Sequence, residues 1–173
     1  METLFTQALG LAAPWRVVNV DFQQAAGCIV FKVENTAKRL TCAVCGAANQ
    51  PIHDRLPHSW RLLHFFQYHA FIEANVSRVG CRECEKTTQV EVPWARAGAG
   101  FTEMLEAFVI ALCTHTPVGA VAQLLGVSDD RVWRVLGAFR HFRVVLGHTF
   151  RARNRARTGH GRFFDERRGS QGV

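Results

Sequence analysis

Cys42-Ala43-Val44-Cys45-Gly46 and, after a gap of 35 residues, Cys81-Arg82-Glu83-Cys84-Glu85 are the two stretches that decide the fold. A C-x2-C turn can present two thiolates to one ion, and a tetrahedral zinc ion takes four sulfurs at about 2.3 Å. The gap exceeds the roughly 15–20 residues usual between such pairs, which leaves room for two or three extra strands that bring the chain back to the ion. Gly46 can relieve the tight turn after the first pair, whereas Glu85 stands at the equivalent place after the second. Four thiolates leave no open position for water, so an ion held this way is structural and not catalytic. One structural Zn2+ on Cys42, Cys45, Cys81 and Cys84 is therefore expected, as part of the folding energy of a module too small to rely on its core. Cys28 and Cys113 read as small buried hydrophobes, with His53, His58 and His64 as substitute ligands.

Around the cysteines the pattern is one of short strands. Residues 15–22 and 28–33 form a predicted hairpin, 60–66 and 69–79 are rich in aromatic and β-branched residues, and 87–92 reads as a last strand. Residues 52–59, holding His53, Asp54, Arg55, Pro57 and His58, read as a polar loop. Residues 95–100, with three alanines and two glycines, read as a linker. Beyond it the period becomes helical. Thr102 caps a predicted helix over 102–114 whose stripe is Leu105, Phe108, Val109 and Leu112. Thr116-Pro117 opens a short second helix that ends at Leu125 and is closed by Gly126. Ser128 caps a third, with Asp129 and Asp130 in its first turn, where the helix dipole favours negative charge.

Ala122, Gly126 and Val132 carry a helix-turn-helix spacing. A small residue lets the second helix pack close, a glycine takes the turn conformation costly to other residues, and a β-branched residue locks the second helix to the core. The recognition helix spans 128–139, with Ser128, Asp130, Arg131 and Arg134 as its groove-facing residues. The same three-helix unit also suits protein binding. Asp129 and Asp130 repel phosphate, although one carboxylate can accept from a cytosine amino group.

The net charge of +7 is concentrated at one end. Residues 140–173 hold nine Lys/Arg against two Asp/Glu, while residues 1–100 sum to +2 and residues 101–139 to −2. A basic tail after a nearly neutral body points to a polyanion, nucleic acid before membrane. The arginines Arg151, Arg153, Arg155 and Arg157 would contact phosphates without sequence preference. No apolar run is long enough to span a bilayer, and residues 1–14 lack the basic start of a signal peptide. The expectation is a cytoplasmic chain with reduced cysteines. The fold class is α+β: a small β-rich four-cysteine zinc module, then a three-helix helix-turn-helix unit and a basic, disordered tail. The corresponding boundaries are an N-terminal segment 1–14, zinc module 15–94, linker 95–100, helix-turn-helix 101–146 and arginine-rich tail 147–173.

Taken in order, Cys42-x2-Cys45-Gly46, His53-Asp54-Arg55, Trp60-Arg61, Phe66-Gln67-Tyr68, Ser77-Arg78-Val79, Cys81-x2-Cys84, Val92-Pro93-Trp94-Ala95, Phe101-Thr102, Leu124-Leu125-Gly126-Val127-Ser128 and Val132-Trp133-Arg134 resemble the N-terminal half of bacterial insertion-sequence transposases of the ISL-three family. The resemblance covers about residues 38–140. It implies a zinc finger on the four cysteines, a helix-turn-helix over 117–140 that recognises terminal inverted repeats, and a following DDE catalytic domain. Glu85 departs from the glycine expected there. Asp165-Glu166 resembles the segment of the first catalytic aspartate, either as native sequence or as a chance match in an out-of-frame stretch after about residue 147. Two-metal phosphoryl transfer needs several carboxylates from distant strands, so no catalytic residue is expected in this chain. It reads as the DNA-binding portion of a truncated transposase, without strand transfer of its own. The alternative is a zinc-stabilised interaction or regulatory module acting on an intact transposase. Double-stranded DNA at transposon ends is the expected partner, together with a homodimer or an intact transposase, and no membrane.

Overall fold

The computed structural model describes residues 1–139, which fall in two compact units dividing after Glu106. The predicted tail, with Arg151, Arg153, Arg155, Arg157 and the Asp165-Glu166 pair, lies outside the described residues. The class is α+β: among the described residues, all five strands and a short N-terminal helix lie in the first unit, and the second is helical.

In the first unit, helix α1 (Glu2–Ala8) precedes strands β1 (Trp15–Gln23), β2 (Cys28–Asn35), β3 (Ile52–Arg61), β4 (His69–Gly80) and β5 (Thr87–Gln89). The sheet order is β1-β2-β4-β3, with β5 also on β4. β1 and β2 form the expected antiparallel hairpin, Gln23 opposite Cys28. β2 and β4 run parallel, a pairing that requires a crossover; residues 36–68, with the first cysteine pair and β3, supply it. The antiparallel β3–β4 pairing sets Ile52 opposite Val79. The segment read as a polar loop over 52–59 is thus most of a ten-residue strand. Its polar character fits its place at the edge of the sheet, where Pro57 is also tolerated.

One face of the sheet buries Trp15, Val17, Val33, Trp60, Ile72, Ala74 and Val76 together with Trp94 and Ala95. Trp94 meets Trp15 and Trp60 edge-on, with centroids 4.8 and 5.5 Å apart. A second cluster, Ile29, Phe31 and Ala70, is covered by Phe5 of α1, a helix that the sequence reading did not foresee. Neither cluster contains a cysteine, so the sheet has an apolar core apart from the thiols. The segment after Trp94 returns to the end of β3: Arg61 N donates to Gly100 O and Thr102 N to Arg61 O, each at 3.0 Å. Arg96 clasps Glu106, only 1% exposed, through two hydrogen bonds of 2.9 Å.

Helix α2 (Glu103–His115) begins at Thr102, whose hydroxyl accepts from Leu105 N at 3.4 Å. In the second unit, Val109 and Cys113 of α2 are buried, as are Val118, Val121, Ala122 and Leu125 of α3 (Val118–Leu125) and Val132, Val135 and Leu136 of α4 (Asp129–Ala138). Pro117 stands at the N-cap of α3, one place earlier than expected, and Gly126 closes that helix in the left-handed conformation at φ 62°. Ser128 occupies the N-cap of α4 without a side-chain capping bond; its carbonyl accepts from Arg131 N at 3.0 Å.

Candidate metal centre and nucleic-acid interface

Strand register creates the four-sulfur site. The first C-x2-C turn precedes β3 and the second joins β4 to β5, so the pairing of Ile52 with Val79 delivers both turns to one end of the sheet. Within the first turn Gly46 N donates to Cys42 O at 3.0 Å and Cys42 N to Ala47 O at 2.9 Å; in the second, Cys81 N donates to Lys86 O at 3.0 Å. Gly46 and Glu85 occupy matching positions, both left-handed, at φ 74° and 56°. Glu85 in place of the expected glycine therefore carries a backbone cost, since a side chain is disfavoured there.

The sulfurs of Cys42, Cys45, Cys81 and Cys84 lie within 4.8 Å of one another. Cys45 and Cys81 are 3.5 Å apart, and Cys42 and Cys84 3.7 Å. A tetrahedron with arms of about 2.3 Å has corners about 3.8 Å apart, so the donor set and its spacing fit one structural zinc ion. The cysteines are unbridged. The amides of Cys45 and Val44 bond to the Cys42 sulfur and draw its pKa down to about 6. Cys45 receives the Ala47 amide, yet contact with the Cys81 sulfur and burial leave it pushed up to about 12. Cys84 is raised as well, burial and the Cys81 sulfur outweighing the Lys86 amide. Four adjacent thiols cannot all ionise without a cation among them.

Gln50, which the sequence reading passed over, ties the two turns together. It is only 7% exposed. Its backbone exchanges hydrogen bonds with Leu40 on the first loop, and its Oε1 accepts from Arg82 N, inside the second pair, at 2.9 Å. No local signal marks a glutamine for this work. None of the three candidate histidines joins the four sulfurs: His53 faces Asp54, His58 stacks on Trp60 and His64 lies against Arg61. Cys113 is buried as expected, and burial pushes its thiol up to about 11. Cys28 is half-buried, its thiol bonded to Gln23 Oε1 at 3.3 Å.

In the helical unit Ala122 and Val132 are buried at the places the motif requires, and Val127 N reaches Ala122 O at 2.9 Å across the Gly126 turn. Ser128, Asp130, Arg131 and Arg134 are all exposed. Asp130 and Arg134, four residues apart, share one side of α4, opposite the Val132, Val135 and Leu136 stripe. Asp129 is turned elsewhere: its Oδ2 lies 3.4 Å from where a Cβ on Gly119 would stand, against the first turn of α3, whose dipole favours a carboxylate. Trp133 is 45% exposed beside Arg134; it is legible in the sequence as the aromatic residue off the buried stripe.

A family model described as the zinc-finger of transposase IS204/IS1001/IS1096/IS1165 matches residues 38–84. A second, described as the helix-turn-helix domain of transposase family ISL3, matches residues 90–137. No curated protein and no solved structure matches the chain.

Proposed function

Because this chain belongs to the ISL3 transposase family through its zinc finger and its helix-turn-helix, we propose that it recognises the terminal inverted repeats of an insertion sequence by laying α4 in the major groove. Helix-turn-helix proteins read base edges from the N-terminal half of the second helix. The observation that carries the reading is the division of α4 into a buried stripe and an exposed side bearing Ser128, Asp130, Arg131 and Arg134. Arg131 and Arg134 donate to guanine edges or phosphates, Asp130 accepts from a cytosine amino group, and Ser128 contacts the backbone. Arg151, Arg153, Arg155 and Arg157 add phosphate contacts indifferent to sequence. Cys42, Cys45, Cys81 and Cys84 hold one zinc ion, whose work is to join two loops and not to react. The modules act in the cytoplasm on double-stranded DNA, with a second copy or an intact transposase as protein partner, and strand transfer belongs to carboxylates outside them.

Selection of bound sequences from a random duplex pool tests this proposal. The zinc-loaded chain should enrich a defined motif, and Arg131→Ala with Arg134→Ala should lower its preference for that motif by about 30-fold or more, at about 1–3 kcal/mol for each of two base contacts. Replacing the tail arginines should weaken all duplexes alike and flatten the salt dependence. Unchanged discrimination in the α4 variant would remove the recognition-helix assignment.

A further inference from the structure

The turn that joins β3 to β4 holds a feature for which neither the metal centre nor α4 accounts. After β3 the chain makes a small hairpin in which Phe65 and Tyr68 exchange backbone hydrogen bonds of 3.0 Å, leaving Phe66-Gln67 as its two-residue tip. Phe65 is anchored, its ring 6.2 and 6.3 Å from those of Phe5 and Phe31. Phe66 meets the Phe65 ring edge-on, centroids 5.0 Å apart, yet it is 82% exposed and stands at φ 53°. A bulky residue in the left-handed region is an outlier, and burial does not explain a ring left in water.

Beside this tip three nitrogen-bearing side chains converge. Arg61, only 7% exposed, approaches His69 Nδ1 at 2.8 Å and His64 Nε2 at 3.4 Å through one guanidinium nitrogen, and the two imidazoles lie 4.6 Å apart. A guanidinium has donors and no acceptor, so it dictates the tautomers. Nδ1 of His69 and Nε2 of His64 must accept, which leaves Nε2–H on His69 and Nδ1–H on His64 as donors. Both histidines are exposed. The turn therefore offers two polarised N–H donors, backed by a buried cation, on the same turn as a largely exposed aromatic ring.

We infer that this turn is a second nucleic-acid contact, in which His64 and His69 donate to one phosphodiester of a duplex while Phe66 packs on the adjoining sugar. Anionic oxygens are the strongest acceptors for such donors, and the deoxyribose beside a phosphate offers apolar C–H surface to an aromatic side chain. The inference rests on the reading of this chain as DNA-binding, but it places the contact in the β-rich unit.

The test uses the zinc-loaded full chain, a fluorescein-labelled mixed-sequence 24-base-pair duplex and, separately, inorganic phosphate. Phe66→Gly removes the ring while suiting the positive φ, so the variant should fold at least as well as the parent and, losing apolar contact with the sugar, bind the duplex several-fold more weakly. His64→Leu with His69→Leu should weaken binding about tenfold. His64→Gln with His69→Gln should stay within about twofold, since an amide can accept from Arg61 and still donate outward. The histidine ring N–H resonances should shift on adding duplex. If the glycine and leucine variants keep their zinc and melting temperature and still bind like the parent, or if the glutamine pair loses as much as the leucine pair, the contact is wrong. Ring resonances that respond to inorganic phosphate and not to duplex would make this a free-phosphate site and overturn the nucleic-acid assignment. Arg131→Ala with Arg134→Ala is measured on the same duplex. A loss there with none in the turn variants overturns the turn alone, and a loss in the turn variants with none there supports the turn while counting against α4.

Discussion

Glu85 shows how a single residue type separates two turns that share one backbone conformation. It adopts the left-handed conformation that Gly46 takes in the first turn, and a side chain there costs about 1–2 kcal/mol. Part of that is recovered by Glu85→Gly, less the extra freedom that glycine gives the unfolded chain. The variant should be more stable by about 0.5–1 kcal/mol, read as a higher melting temperature of the zinc-loaded protein. Gly46→Ala should lower the melting temperature: a Cβ there meets nothing within 4 Å, so the loss is conformational alone. Equal midpoints for parent and Glu85→Gly would mean that the angle carries no strain. That a residue after the second pair must turn left-handed was readable from the resemblance. That glutamate complies was not, because propensity ranks conformations without saying which one the metal site enforces.

At the scale of elements, the four sulfurs meet because β3 and β4 are antiparallel and in the right register, and Gln50 stitches the loops they carry. Gln50→Leu keeps the backbone bonds to Leu40 but leaves the Arg82 amide without its acceptor, in a place where an unmet donor costs about 1–3 kcal/mol. Zinc should be lost to a competing chelator at about tenfold lower chelator concentration, in line with other groups that support metal ligands. Identical competition curves would relegate Gln50 to packing. Helices α2, α3 and α4 were legible because their signals are local: a capping threonine, a proline–glycine frame, and apolar residues three and four apart. β3 was not. An edge strand buries few side chains, so its polar composition imitates a loop, and only its partner in β4 reveals it.

At the scale of the whole molecule, the first unit has two supports of different kind, an apolar sheet core around Trp15, Trp60 and Trp94 and a thiol cluster away from it. A structural zinc ion is worth about 10–16 kcal/mol at neutral pH, yet neither apolar cluster includes a ligand. Chelation should therefore abolish amide protection around residues 40–50 and 80–88 while β1, β2 and the first half of β4 keep theirs, as hydrogen exchange would report. Cooperative loss across the whole sheet would show that the ion holds the core as well. Acid should act as chelation does. Binding expels thiol protons, and above about 6, where Cys42 is already ionised, they come chiefly from its neighbours, with Cys45 held up to about 12. Zinc affinity should therefore rise with pH through neutrality. Calorimetry in buffers of different ionisation enthalpy counts the protons released, and pH-independent binding would contradict the assignment of thiolate ligands.

By itself the amino-acid sequence determined the metal-binding residue types, the switch from strands to helices near residue 100, and the spacing of the helix-turn-helix. Each of these is written in residues a few places apart, where covalent geometry and helical period leave little choice. Tertiary structure alone decided that residues 52–61 form a strand, that Gln50 bridges the cysteine turns, and that Arg61 sets the tautomers of His64 and His69. Those outcomes depend on the register between strands distant in sequence, a property of pairs of segments that no single segment encodes.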